Sequence, residues 1–109
     1  MSESLTLDDL AVPLRVLRLL AVDFGHLPAP EVHVSPIFPE RLELPFHRGL
    51  PDFETWREAL GIAPDAVAYC EQSDGRTRVL KATVDYAGAT VELTGYGDVR
   101  APELVGGAA

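Results

Sequence analysis

Apolar residues near the start of the chain recur every three or four positions: Leu10, Leu14, Leu17, Ala21 and Phe24, with Arg15, Arg18 and Asp23 set between them. That spacing draws a stripe down one side of a helix, and Gly25 supplies a natural stop. Thr6 with Asp9 matches a capping arrangement, in which a hydroxyl and a carboxylate satisfy the orphan amides of a helix start. Pro13 forfeits a hydrogen bond and crowds the preceding turn if it lies inside a helix. The pattern therefore predicts a short first turn and a main helix from about Pro13 to Phe24.

The period then drops to two. Glu31-Val32-His33-Val34 alternates and reads as a short strand, and Arg41 to His47 alternates again, with Leu42, Leu44 and Phe46 on one face. Between them, Pro36 and Pro39 bracket Ile37 and Phe38 in a stiff turn with apolar tips. Pro45 cannot donate to a ladder, which predicts that its strand lies at a sheet edge or ends there. A helical period returns from Leu50-Pro51-Asp52: Phe53, Trp56, Arg57 and Leu60 share one face, and Gly61 closes it. Three alternating runs follow: Val67 to Glu71, Thr77 to Tyr86 and Thr90 to Tyr96. The turns between them are Ser73-Asp74-Gly75 and Ala87-Gly88. Leu80, Ala82, Val84 and Tyr86 face one way, while Val79, Lys81, Thr83 and Asp85 face the other. The expected fold is α+β in the order α-β-β-α-β-β-β, an antiparallel sheet with both helices packed on its one apolar face.

Composition confines this to one domain. The chain has 109 residues, 47% of them hydrophobic and 24% charged, in the range of an ordinary globular protein. Residues 6–99 are expected to form the domain. Residues 1–5 and the small-residue tail 100–109 are expected to be flexible, because they have too little apolar surface to offset their ordering entropy. Seventeen acids against nine bases give a formal charge of −8. That balance opposes direct binding to nucleic acid or to an anionic membrane. No secretory or membrane-spanning run is read, because Arg15, Arg18 and Asp23 interrupt the most apolar stretch. The expected location is cytoplasmic, and a single cysteine agrees with it.

Candidate chemistry is sparse, and no catalytic residue, cofactor or metal is assigned. His26, His33 and His47 fit no metal-ligand spacing. His33 is expected on the polar sheet face near Glu43, as a solvated cross-strand pair. Cys70 has no local positive neighbour to lower its pKa, so it reads as a small packing residue. Gly95-Tyr96-Gly97-Asp98 precedes no helix, so it reads as a strand-ending turn rather than a phosphate cradle. Arg76, Arg78 and Lys81 form the main basic cluster.

Two features stand above this background. Ile37 and Phe38 present large apolar groups on a low-entropy turn, which is a partner-binding tip if exposed and only core if buried under the first helix. In the first helix, Leu14, Leu17, Leu20 and Phe24 form one stripe, while Val16 and Leu19 widen the apolar surface beyond what one sheet face covers. Ile37, Phe38, Leu14, Leu17, Val16 and Leu19 are the candidate partner-binding residues, and a second copy of the chain is a natural way to cover them.

Lysine is nearly absent while alanine, proline, arginine and glycine are plentiful, as in proteins of GC-rich bacteria. The run Arg41 to Leu60, with its Leu-Glu-Leu-Pro-Phe strand and Phe-Glu-Thr-Trp-Arg-Glu-Ala-Leu-Gly helix, resembles short uncharacterised actinobacterial proteins, including those of streptomycetes and their mobile elements or phages. The resemblance implies a small accessory or regulatory protein and carries no residue role. Three functions follow as expectations. The first is a non-enzymatic regulatory or protein-binding module that self-associates. The second is an acidic nucleic-acid mimic that inhibits a basic groove. The third is a small ligand-binding protein or enzyme with a cavity between helices and sheet, using His33, Glu43, Arg41 and Cys70.

Overall fold

The computed structural model describes residues 5–72 and 75–98. The two ends read above as flexible fall mostly outside this range, as do Ser73 and Asp74 of the predicted tight turn. A single 3-10 turn, Leu7–Leu10, leads into helix α1 (Ala11–Asp23). Strands β1 (His33–Ser35) and β2 (Phe38–Phe46) follow, then helix α2 (Leu50–Ala59). A meander of β3 (Ala68–Gln72), β4 (Thr77–Tyr86) and β5 (Ala89–Asp98) completes the described fold. Among the described residues, no helix is long and apolar enough to cross a membrane.

The fold is α+β with five strands in the order β1-β2-β5-β4-β3. The expectation of a purely antiparallel sheet is corrected, because β2 and β5 run parallel, with Leu42 opposite Val91 and Leu44 opposite Leu93. The pairs of consecutive strands β1–β2, β3–β4 and β4–β5 are antiparallel. The parallel pair arises where the chain leaves β2 through α2, adds β3 and β4, and re-enters beside β2 only with β5.

Pro45 explains a second correction. The edge position is overturned, because Pro45 lies in an inner strand opposite Thr94 of β5, although that strand does end one residue later at Phe46. The amide and carbonyl of one strand residue project to the same side. The Pro45 carbonyl accepts a hydrogen bond from the Glu31 amide at 3.1 Å, on the β1 side. The β5 ladder therefore needs no donor at Pro45. The missing N–H is felt on the other side, where β1 shrinks to three residues.

Both helices cover the face formed by Leu42, Leu44 and Phe46 with Val91, Leu93 and Ala82. These residues, with Phe53, Trp56, Val16 and Leu20, make one buried cluster. Full burial of such side chains contributes about 1.5–3 kcal/mol each. The aromatic rings meet edge-on or tilted: Phe46 and Phe53 are T-shaped at 6.5 Å, and Phe24 and Phe46 flank Trp56 at 6.2 and 6.3 Å. The Trp56 indole donates to the Pro28 carbonyl at 2.7 Å, which pins the connection after α1 over the core.

Helix α2 buries Phe53, Trp56 and Arg57, the face its spacing predicts. The Arg57 guanidinium grips both Glu54 carboxylate oxygens at 3.1 and 3.0 Å and also donates to the Ile62 carbonyl. The bond to Glu54 holds its pKa above the ordinary arginine value. Gly61 follows the helix at φ +75°, a conformation that favours glycine.

Gly95 and Gly97 are not the turn they were expected to be. Both lie inside β5. A Cβ at Gly95 would come within 2.8 Å of Phe53, and one at Gly97 within 2.9 Å of Leu50. The two glycines are the bare strip on which α2 rests.

Helix α1 is rotated from its predicted orientation. It buries Pro13, Val16 and Leu20, whereas Leu14 faces outward. Pro13 causes no kink, because it sits in the first turn, where amides have no partner within the helix. The Tyr86 hydroxyl ties the far end of α1 to β4 by donating to Asp23 at 3.1 Å.

Candidate functional site

Two surfaces left open by the core carry the candidate residues. The first is the tip of the β1–β2 hairpin. Ser35 pairs with Phe38 across Pro36 and Ile37, and the Ser35 hydroxyl oxygen accepts the Ile37 amide at 3.1 Å. Proline on both sides and this bond leave the turn few conformations. It nevertheless exposes Ile37 at 76% and Phe38 at 49%. The Arg41 guanidinium lies 4.2 Å from the centre of the Phe38 ring, a cation–π contact that fixes the ring against β2. Beside it is a shallow concavity of about 250 Å³, lined by the tip residues with Arg41 and Thr90.

The six candidate partner-binding residues divide. Ile37, Phe38, Leu14 and Leu19 are exposed. Leu17 packs half-buried against the core, and Val16 is fully buried, so Val16 is corrected from surface to core. Val22, not singled out from the sequence, is 75% exposed on the outer side of α1.

The second surface is the uncovered face of the sheet. His33 pairs with Glu43 in register, as expected, but its imidazole turns to Glu31 at 3.3 Å. His47 approaches the same Glu31 oxygen at 3.7 Å and stacks on Tyr96 with ring centres 4.6 Å apart and planes 5° from parallel. Arg41 reaches Glu43 at 3.5 Å and Glu92 at 3.8 Å. A concavity of about 330 Å³ opens among these groups, with Thr94 and Lys81 on its floor and flank.

His33, Arg41 and Glu43 thus share one concavity, but it lies on the open side of the sheet and not between sheet and helices as expected. Cys70 is exposed on the edge strand β3, whose residues are all exposed, so it is not the packing residue read from the sequence. Arg78 and Lys81 alternate onto opposite faces of β4, which disperses the basic cluster. Among the described residues, no group of three or more histidine, cysteine or acidic side chains is arranged to hold a metal ion.

Sequence reasoning read Lys81 only as part of the basic cluster and gave Thr94 no role. The Ala87-Gly88 turn contained the signal, since a two-residue turn fixes Tyr86 opposite Ala89 and so Lys81 opposite Thr94. In comparison with known proteins, no family model, curated protein or solved structure matches the chain.

Proposed function

We propose that the chain is a non-enzymatic protein-binding module of the regulatory kind that associates with a second copy of itself, and that Ile37 and Phe38 are its principal contact. The observation that carries this reading is the exposed Ile37 on a turn already rigid before any partner arrives. A preformed turn loses little conformational entropy on docking, so most of the apolar area it buries counts toward affinity. Leu14, Leu19 and Val22 on the outer side of α1 extend the apolar area available to a copy. The groups exposed around the tip and on the open sheet face are otherwise those of binding: charged pairs, stacked rings and hydroxyls.

Light scattering on size-exclusion fractions tests the reading. The wild type is expected to rise from the monomer mass of 11.8 kDa toward twice that value as concentration increases. Ile37→Asp is expected to stay at the monomer mass with an unchanged circular dichroism spectrum. A wild type that stays monomeric throughout, or an Ile37→Asp variant that assembles as well as the wild type, refutes it.

A further inference from the structure

We infer that the open face of the sheet holds a binding site for the zwitterion of an aromatic amino acid, separate from the hairpin tip. The site is centred on Thr94, which pairs with Pro45 on β2 and with Lys81 on β4. Thr94 is 8% exposed as a residue, and its hydroxyl, which is not a buried orphan, is open to solvent. Thr94 lines the floor of the 330 Å³ concavity, close to the lower end of the range occupied by small-molecule sites.

The charges around it are placed for a ligand of two signs. Lys81, directly across from Thr94, has no ion pair among the described residues, so its ammonium is free to take a carboxylate. On the other side, Glu43 and Glu92 lie opposite each other and share the single guanidinium of Arg41. Their contacts of 3.5 and 3.8 Å are longer than a well-formed charge-assisted bond. Two carboxylates on one cation leave a net negative charge there, which suits a ligand ammonium. Glu92 stands two residues before Thr94 on β5 and Lys81 stands across from Thr94 on β4, so charges of both signs border the same concavity. An anion alone meets Glu43 and Glu92, and a cation alone meets Lys81. Only a zwitterion satisfies both.

The remaining wall selects the side chain. His47 and Tyr96 stand stacked face to face, and Pro45 lies beside them on the same face. A flat ring laid against this pair gains stacking and loses water, whereas a polar side chain gains neither. Arg41 also touches the Phe38 ring, so a ligand that draws on Glu43 and Glu92 acts on a residue shared with the tip.

Amide chemical shifts of the full chain test the site with three probes. L-phenylalanine carries both charges, 3-phenylpropionate only the carboxylate and phenethylamine only the ammonium. L-phenylalanine is expected to give saturable shifts at Lys81, Thr94 and Tyr96, and each single-charge probe to bind at least tenfold more weakly. Thr94→Val and the exposed Lys81→Gln are each expected to weaken L-phenylalanine at least tenfold, with the rest of the spectrum unchanged. The inference is overturned if L-phenylalanine gives no saturable shift, if either single-charge probe binds as well, or if Lys81→Gln binds like the wild type. The mass measurement on Ile37→Asp is independent of this result, so either proposal can fail alone.

Discussion

Thr94 and Gly95 are neighbours in β5, yet they belong to different worlds. Gly95 turns toward the helices, where a single added Cβ would sit 2.8 Å from Phe53. Thr94 turns to the open side and lines a concavity there. The same alternation divides β2, with Leu42, Leu44 and Phe46 on the covered face and Arg41, Glu43 and Pro45 on the open one. One side is a closely packed apolar cluster, where a change of volume is costly. On the other side, charges, rings and hydroxyls are held in place by strands that the first side stabilises. The difference teaches that stability and recognition are separable here, residue by residue along one strand.

Substitutions on the covered face should therefore cost the most. Phe53→Ala empties a fully buried site between Phe46 and the Gly95 strip, and is expected to destabilise by about 3–5 kcal/mol in urea unfolding. A loss below 1 kcal/mol would mean that the two helices do not share one core. Arg57→Ala should cost less than Phe53→Ala. It leaves the Ile62 carbonyl without its donor and removes the cation that Glu54 grips. Its urea midpoint should fall below that of the wild type with an unchanged slope.

At the margin between the two regions, Tyr86 gives a smaller effect that depends on pH. Burial, and then its bond to Asp23, raises the Tyr86 pKa above the ordinary tyrosine value. A raised pKa favours the protonated fold, so this contribution is complete below about pH 10 and is lost as the pH climbs past it. Tyr86→Phe should accordingly lose less stability than the wild type between neutral and strongly alkaline pH. Equal losses in the two proteins would show that the contact with Asp23 contributes nothing.

How much of this was legible in the sequence depended on whether the deciding contact was local. The limits of β4, the burying face of α2 and the pairing of His33 with Glu43 follow from periodicity and turn residues, which act over a few positions. The parallel pairing of β2 with β5 does not, because residues about fifty apart in the chain decide it and no short motif announces it. Pro45 misled for a related reason: a proline forbids one ladder, and only the neighbouring strands show which. Helix α1 is apolar nearly all round, from Val12 to Val22, so two stripes compete and only the sheet beneath selects Val16 and Leu20 over Leu14. The stiffness of the hairpin tip was readable because proline on both sides makes its own rigidity, but its exposure was not. The site around Thr94 was not, since its members come from three strands that meet only after the fold is complete.

The direct test is a paired urea unfolding of Gly95→Ala and Thr94→Val, adjacent changes on opposite faces of one strand. The division of labour predicts that Gly95→Ala loses about 1–3 kcal/mol, because Phe53 cannot yield without disturbing the core. Thr94→Val should stay within about 0.5 kcal/mol of the wild type. Equal losses in the two variants, or a larger loss from Thr94→Val, would contradict it.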